Sequence, residues 1–334
     1  MNDRPPSKPL TWKLWLTQPL AEWREWWFQP VPLMRLALVR IVFVACHLIF
    51  FFPSLARQQR LVSHNESFID PQVLIAMIVA IVPESMFRTV EMITFIWIIT
   101  LLAGVAALVG LFTRASLFVL AAGTATLVAH GFSYGVQHHP EALFTIALFV
   151  MAFSPCGAVL SVDAWRAARR RADGVPADLG AQQRRQMSSN ALWPLLCIQC
   201  LLALAYLNAG VCKIYMGGLQ WFDGYTMQMH LLQDAIRWDR PMGLWVAQQW
   251  WLALVISFFA VGFEVAFPLV LFWRRLVPWF LVMGLGMHIG IFALQAAPFW
   301  QFMVLYMAFL PVERVWDWAR RGRGVMIQPT TSAG

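Results

Sequence analysis

The sequence has 334 residues, of which 60% are hydrophobic and only 13% are charged, and its mean hydropathy is +0.61. A water-soluble chain carries about 25% charged residues, whereas lipid requires no charged surface. This composition excludes a soluble globular domain and predicts a protein whose main solvent is lipid. The net charge of +8 predicts no nucleic-acid partner, because the basic residues lie in short segments between apolar runs and not along one face.

Residues 1–32 form the first predicted segment, which begins polar and ends in a tryptophan-rich stretch. Apolar residues recur there at spacings of three and four, at Trp12, Leu16, Leu20, Trp23 and Trp27. Such spacing is typical of an amphipathic helix that lies in the headgroup region of a membrane. No small-residue cleavage site accompanies the first long apolar run, so we expect no cleavable signal peptide.

Eight apolar runs follow between residues 33 and 312, which we predict to form one transmembrane domain. They cover about residues 33–53, 91–112, 115–132, 141–155, 191–215, 246–272, 277–296 and 298–311. A helix needs about 20 apolar residues to cross a bilayer, and the fourth and eighth runs fall at or below that length. A further run at 72–82 is too short to cross and is predicted to lie at the interface.

The connections between these runs alternate in charge. Lys and Arg accumulate in the N-terminal segment, in every second connection and in the tail at 313–334, at Lys8, Lys13, Arg24, Arg114, Arg166, Arg169, Arg170, Arg171, Arg184, Arg185, Arg274, Arg275, Arg320, Arg321 and Arg323. Cytoplasmic loops carry this excess of positive charge. We therefore predict an all-α, polytopic transmembrane bundle of about eight spanning helices in the cell (inner) membrane. Both termini and a solvated loop at about 163–190 are predicted to be cytoplasmic.

Two ionisable residues are predicted inside the bilayer near its inner face. Arg40 in the first run and Glu264 in the sixth each lie about two helical turns, roughly 10 Å, inside that surface. A charge at this depth requires a partner or a function. We predict that Arg40 and Glu264 form an ion pair whose role is structural, holding two helices in register.

A second group of polar residues is predicted near the outer face. Gln199, Tyr206 and Lys213 are spaced by seven and therefore share one face of the fifth helix. A lysine in this position can simply extend to the lipid headgroups, or it can line a site. For the second case we assign to the lining of a cavity Tyr206, Trp221, Asp223, Gly224 and Gln295.

Histidines are predicted to reach the same level of the membrane. The eight-helix arrangement brings there His130, Tyr134, His138, His139 and Glu141 from the third connection and His288 from the seventh helix. A lone intramembrane histidine is usually a packing residue, but a lysine, several histidines and a carboxylate on one face favour a functional site. Burial in an apolar cavity would favour the neutral amine of Lys213, which could then act as a base. The catalytic residues predicted here are Lys213, His138, His139 and His288.

The remaining motifs do not predict metal or redox chemistry. His138 and His139 are adjacent, so they point in different directions, and no HxxxH or HExxH spacing accompanies them. Cys197 and Cys200 form a CxxC, but they lie inside a spanning helix without the strand and turn of a thioredoxin-type site. We expect no metal, and we interpret the two cysteines as packing residues.

The segment YLNAGVCKIYMGGLQWFDGYTMQMH resembles the signature of the vitamin K-dependent γ-glutamyl carboxylase-like family, whose shared region is the HTTM domain. Four further landmarks agree in order: PLMRLALVRIVF, VQHHPEALFTIALFVMAFSPCGAVLSVDA, FEVAFPLVLFWRR and GMHIGIFALQAAPFWQFMVLYMAFLP. Together they cover about residues 33–312. The resemblance predicts a stand-alone bacterial-type member of this family.

The resemblance implies oxygenation of reduced vitamin K on the non-cytoplasmic side, which generates a strong base that removes a γ-proton from glutamate before carbon dioxide adds. Lys213 matches the lysine that starts this deprotonation, and His138 or His139 and His288 match histidines near that site. Two departures stand out. Cys212 occupies the position of a second lysine, and the large lumenal domain that holds the protein substrate has no counterpart. We therefore expect no carboxylation of a propeptide-bearing, clotting-type substrate.

Three kinds of function stay open at this point. The first is a quinone-dependent, carboxylase-like or oxidative peptide-tailoring enzyme, with a reduced, vitamin K-like quinone as cofactor. Its expected partners are a small secreted peptide and a quinone-reducing enzyme. The second is a non-enzymatic membrane factor for maturation or export of a small secreted peptide, of the sporulation-delaying-toxin-associated type. The third, a transporter, is disfavoured because the sequence has no internal repeat and no pair of broken helices.

Overall fold

The computed structural model describes residues 25–64, 68–135, 138–171, 179–314 and 316. Within these ranges the chain is helical except for loops and one antiparallel pair of two-residue strands, β1 (Val31–Pro32) and β2 (Met187–Ser188). Most of the predicted N-terminal amphipathic helix and nearly all of the basic tail lie outside the described residues.

The helices follow one another with short connections. The first half contains α1 (Leu33–Phe51), α2 (Leu55–Val62), α3 (Val73–Val79), α4 (Glu84–Phe87), α5 (Val90–Val109), α6 (Thr113–Phe132), α7 (His139–Phe153), α8 (Val162–Arg171) and α9 (Leu179–Arg185). The second half contains α10 (Leu192–Gly217), α11 (Tyr225–Arg237), α12 (Pro241–Ala247), α13 (Trp250–Ala266), α14 (Leu269–Phe272), α15 (Val277–Gln295) and α16 (Trp300–Phe309). The last turns of α1 are π-helical, and a 3₁₀ turn, Gly218–Phe222, directly follows α10.

All eight predicted apolar runs are helical, but not all reach spanning length. In the described part of the chain, five helices are long and apolar enough to cross a membrane: α1, α5, α6, and the longer stretches that contain α10 and α15. Helices α12 and α13 make a sixth span only as a pair, because they meet at 98°. Helices α7 and α16 are shorter apolar helices. The all-helical, multi-pass architecture is thus confirmed, while the count of eight and the sidedness of the termini stay predictions.

Small residues allow the close helix pairs that the fold requires. Thr89 caps the N-terminus of α5, where its hydroxyl accepts a hydrogen bond from the Met92 N–H, and Gly110, with a φ of 72°, caps the C-terminus. The chain then turns back into α6, and a side chain at Gly123 would overlap Thr100 of α5. In lipid, helices associate through such close packing, because lipid is as apolar as the helix surfaces and the hydrophobic effect does not drive the helices together.

The main core surrounds α1, which contributes Leu36, Val39 and Phe43, all fully buried. Arg40 lies in the same helix and is also fully buried. Its Nη2 donates to the carbonyl of Leu160 over 2.6 Å and its Nη1 donates to the carbonyl of Cys156 over 3.2 Å. The loop between α7 and α8 therefore accepts the hydrogen bonds of this intramembrane arginine.

A separate cluster lies at the Gly217 end of α10. There α11, α12 and α13 pack together through Met227, Leu231, Val246 and Ala253. The face of α11 that this packing leaves exposed carries both apolar side chains, such as Met229 and Ile236, and polar ones, such as His230. This small subbundle and the helices α10 and α15 enclose the cavity described next.

Candidate functional site

A cavity of ≈660 Å³ lies between α10, α11, α13, α15 and the start of α16. Most of its lining is apolar. The polar or ionisable side chains that line it are His139, Tyr206, Lys213, Trp221, His230, Asp234, Glu264, His288 and Gln295. Cavities of this size and composition are typical of sites for small, largely apolar molecules.

Lys213 and Glu264 form an ion pair on the wall of this cavity. The Lys213 Nζ donates to both carboxylate oxygens of Glu264, over 2.5 and 2.6 Å. The side chains are 25% and 10% exposed respectively, so water screens the pair little. The approach of α10 to α13 depends on Gly210, because a Cβ there would lie 2.8 Å from Val265 and 3.1 Å from the Cβ of Glu264.

This pairing corrects the prediction that Arg40 binds Glu264. Each residue has a different partner, Arg40 the carbonyls of the α7–α8 loop and Glu264 the lysine of α10. Residue counts placed Glu264 near the inner face and Lys213 near the outer face, but their direct contact shows that the two side chains lie at the same depth. The prediction also treated residues 246–272 as one straight helix, whereas the chain bends by 98° between α12 and α13.

Three buried polar rings form a hydrogen-bonded chain beside the ion pair. The hydroxyl of Tyr206 lies 2.6 Å from the Nε2 of His288 and 2.5 Å from the hydroxyl of Tyr306. All three side chains are at most 5% exposed. The other ring nitrogen of His288, Nδ1, is buried and has no hydrogen-bond partner among the residues that the structure describes. An unpaired buried nitrogen is costly. Because His288 lines the cavity, its Nδ1 is a free hydrogen-bonding group beside the space for a ligand.

Aromatic side chains form the wall around this chain. The ring of Phe299 stacks on His288 at a centroid distance of 5.3 Å, and Phe302 lies at the same distance. The imidazole of His139, the first residue of α7, contacts both phenylalanines. The polar groups of the cavity are thus held in a largely aromatic surrounding, where a hydrogen bond to a ligand would be stronger than in water.

The structure brings together most of the residues that the sequence assigned to this site. Lys213, His139, His288, Tyr206, Trp221 and Gln295 all line the cavity. His138 does not line it and is exposed on the surface. His130 also lies elsewhere, where its Nδ1 is 2.7 Å from the side-chain oxygen of Gln58.

Asp223 and Gly224 shape the chain next to the cavity but do not line it. The Asp223 carboxylate accepts a hydrogen bond from the Tyr225 N–H over 2.8 Å, and its carbonyl accepts one from the Trp250 indole over 2.8 Å. Gly224 has a φ of 82°, a conformation that favours glycine. Their position indicates that they set the direction in which α11 leaves the turn.

Sequence reasoning missed several members of the site. Glu264 was assigned to the wrong partner, and Tyr306, His230 and Asp234 were not singled out. His230 and Asp234 are four residues apart and so share one face of α11, a spacing that could have indicated them. Tyr306 had no such signal, because no other polar residue of its short apolar run lies three or four positions away.

The cavity offers proton-transfer groups and no evident metal site. Within the described ranges, no group of three or more His, Cys, Asp or Glu side chains is placed to hold a metal ion. All five cysteines are unpaired. The ion pair can move a proton between nitrogen and oxygen, and the tyrosine–histidine chain can donate or accept hydrogen bonds at a second point of the lining.

One protein-family model matches the chain. The HTTM domain matches residues 28–316, which includes all helices from α1 to α16 and every residue of the cavity. Neither a curated protein nor a solved structure matches the chain.

Proposed function

The chain belongs to the HTTM domain family, and from that premise we propose that its cavity binds a reduced, vitamin K-like quinone whose hydroxyl proton is taken by the Lys213–Glu264 pair. The observation that carries the proposal is the position of this pair on the wall of a largely apolar cavity. A charged pair is costly in lipid. Arg40 shows that backbone carbonyls alone can satisfy a buried cation in this protein, and its side chain does not line the cavity.

The pair can supply the base in two balanced proton transfers. In the resting state Lys213 is an ammonium and Glu264 a carboxylate. Transfer of one proton from Nζ to the carboxylate leaves an amine and a carboxylic acid, so the net charge of the pair is zero before and after the transfer. The amine of Lys213 then takes the proton of a bound hydroxyl group. Glu264 is thus the acceptor that makes the lysine amine available.

The residues present fit a molecule with two oxygens on a flat, apolar ring. Its ring would lie among Phe299, Phe302 and His139. The unpaired Nδ1 of His288 would bind one oxygen, and Lys213 would face another. When bound, a reduced quinone supplies an acidic hydroxyl and two electrons for reaction with oxygen. Tyr206 holds the His288 ring in place through Nε2.

The overall reaction is proposed from the family resemblance. We propose quinone-dependent, carboxylase-like or oxidative tailoring of a small secreted peptide on the non-cytoplasmic side of the inner membrane. A quinone-reducing enzyme would return the quinone to its reduced state. Cys212, at the position of a second lysine in the resemblance, is exposed. We propose that in this chain Glu264, which binds Lys213, is the proton-accepting neighbour instead.

The test is quinone-dependent oxygen uptake by the protein in lipid nanodiscs. Reduced naphthoquinones of different tail length are added to wild type, Lys213→Met and Glu264→Gln. We expect uptake by wild type and a loss of on the order of a hundredfold or more in both variants, as for removal of a general base. Lys8→Arg/Lys13→Arg is the matched control, because it changes the only other lysines of the chain.

Binding is measured separately, by quenching of tryptophan fluorescence. Lys213→Met should still bind the reduced quinone, whereas His288→Phe should weaken binding about tenfold, the cost of one buried hydrogen bond. Uptake that is unchanged in Lys213→Met would refute the proposed base. If no quinone binds, while export or maturation of a small secreted peptide still requires the protein, the non-enzymatic maturation factor becomes the better assignment.

A further inference from the structure

Trp221 is held in one position by contacts from three elements. It lies in the 3₁₀ turn after α10, which folds its indole back onto the last turn of that helix. Gly217 permits this contact, because a Cβ at that position would lie 2.5 Å from the indole Nε1. The hydroxyl of Ser257 in α13 donates to the carbonyl of Trp221, and the imidazole of His230 in α11 stacks on the indole at 5.5 Å and 17°.

The indole also contacts the ion pair. The Nζ of Lys213 lies 5.5 Å from the centroid of the Trp221 ring, within the range of a cation–π interaction. The indole therefore lies between Lys213, which is bound to the buried Glu264, and His230, which is exposed. Trp221 thus connects the ion pair to a side chain at the protein surface. The described contacts place no other aromatic ring over Lys213.

We propose that Trp221 is a positioning residue that covers the Lys213–Glu264 pair and limits the access of bulk water to the lysine amine. The ring holds the ammonium through its π face and occupies the space through which water would reach Nζ. Excluding water strengthens the pair and directs proton exchange into the cavity. This role is independent of the molecule that the cavity binds.

The chain allows a direct measurement, because it contains only three lysines, Lys8, Lys13 and Lys213. In a Lys8→Arg/Lys13→Arg background, Lys213 is the only side-chain amine. Reductive methylation in nanodiscs, followed by peptide mass spectrometry, then gives the rate at which a water-borne reagent reaches Nζ. No quinone is present, so a failure here is distinct from a failure of quinone binding.

We expect Trp221→Ala to raise the methylation rate of Lys213 on the order of tenfold, the scale of one lost cation–π contact together with its shielding. Gly217→Ala should act in the same direction, because its methyl group displaces the indole. Trp221→Phe should keep a rate within about twofold of the parent, since it retains an aromatic face. The matched control is Trp238→Ala, which removes an exposed tryptophan that contacts Arg237 and not Lys213.

Folding is monitored in the same samples through Cys156, which is fully buried and reacts with maleimide only if the bundle opens. The proposal is overturned if Trp221→Ala and the parent are methylated at equal rates, or if Trp238→Ala raises the rate as much. If Trp221→Ala exposes Cys156, the proposal is tested instead by comparing the methylation rates of Lys213 in Gly217→Ala and in Trp221→Phe. Equal rates in those two variants would also overturn the proposal.

Discussion

Arg40 and Lys213 are both cations within apolar helices, yet their surroundings differ in kind. Arg40 is fully buried in the main core and donates to two backbone carbonyls. A Cβ at Gly110 would lie 2.7 Å from its Nη1, so protein atoms fill the space around it. Lys213 is bound to a carboxylate and borders a cavity of ≈660 Å³.

The difference shows that an intramembrane charge does not by itself indicate chemistry. The carbonyls around Arg40 cannot accept a proton under ordinary conditions, and the Arg40 side chain does not line the cavity. This charge joins α1 to the loop between α7 and α8. The carboxylate beside Lys213 can accept a proton, and a ligand has room to approach. Packing and the partner's chemistry together separate a scaffold from a candidate site.

The largest expected effect is on stability, at Arg40. Arg40→Met should destabilise the protein by about 3 kcal/mol or more, because the buried carbonyls of Cys156 and Leu160 lose their donors. The measurement is the thermal midpoint in detergent. Arg170→Met, at an exposed position of α8, is the control and should stay within about 0.5 kcal/mol of wild type. Equal midpoints for the two variants would remove the scaffold role from Arg40.

An intermediate effect is expected at the ion pair, measured by the same midpoints. Lys213→Leu and Glu264→Leu should each destabilise the protein by about 1–3 kcal/mol, because each leaves a polar partner unpaired. The double variant should recover most of this loss, since two apolar side chains suit a lipid-like cavity, while quinone-dependent activity stays absent. A double variant that is less stable than either single one would place the pair in the scaffold with Arg40.

The smallest expected effect concerns Asp163, which fixes the far end of the loop that binds Arg40. Burial raises the pKa of the Asp163 carboxyl, but hydrogen bonds from the N–H groups of Phe112 and Thr113 and from the Thr113 hydroxyl outweigh it. The net pKa is therefore lowered from its usual 3.8. A carboxylate with a lowered pKa stabilises the fold above pH 3.8, and this stabilisation is lost as the pH falls through the folded pKa.

Asp163→Asn should accordingly cost about 1 kcal/mol at pH 7, because both carboxylate oxygens accept hydrogen bonds and the amide keeps only one accepting oxygen. The thermal midpoint, followed from pH 7 to pH 3, should fall less in the variant than in wild type over the acid end of that range. Identical acid profiles would show that this cap does not hold the loop. A matched exchange at Asp239, which lies outside this loop, should leave the acid profile unchanged.

The pattern of apolar runs was sufficient for the all-helical, multi-pass class. Each predicted run is helical, because lipid leaves the backbone no other way to satisfy its hydrogen bonds, but the run at 246–272 is bent and not one continuous helix. The spacing of seven between Tyr206 and Lys213 also placed both on one helix face, and both line the cavity. The resemblance to the HTTM domain rests on consecutive motifs, and the family is confirmed over residues 28–316.

Only the tertiary structure decided which polar groups meet. Glu264 binds Lys213 and not Arg40 because Gly210 lets α10 approach α13. His139 lines the cavity, whereas its neighbour His138 does not. Tyr306 reaches Tyr206 across 100 residues of sequence. A hydropathy pattern records the helix face of each residue but not which helix lies opposite, since packing of small side chains and bends such as that between α12 and α13 determine the neighbours.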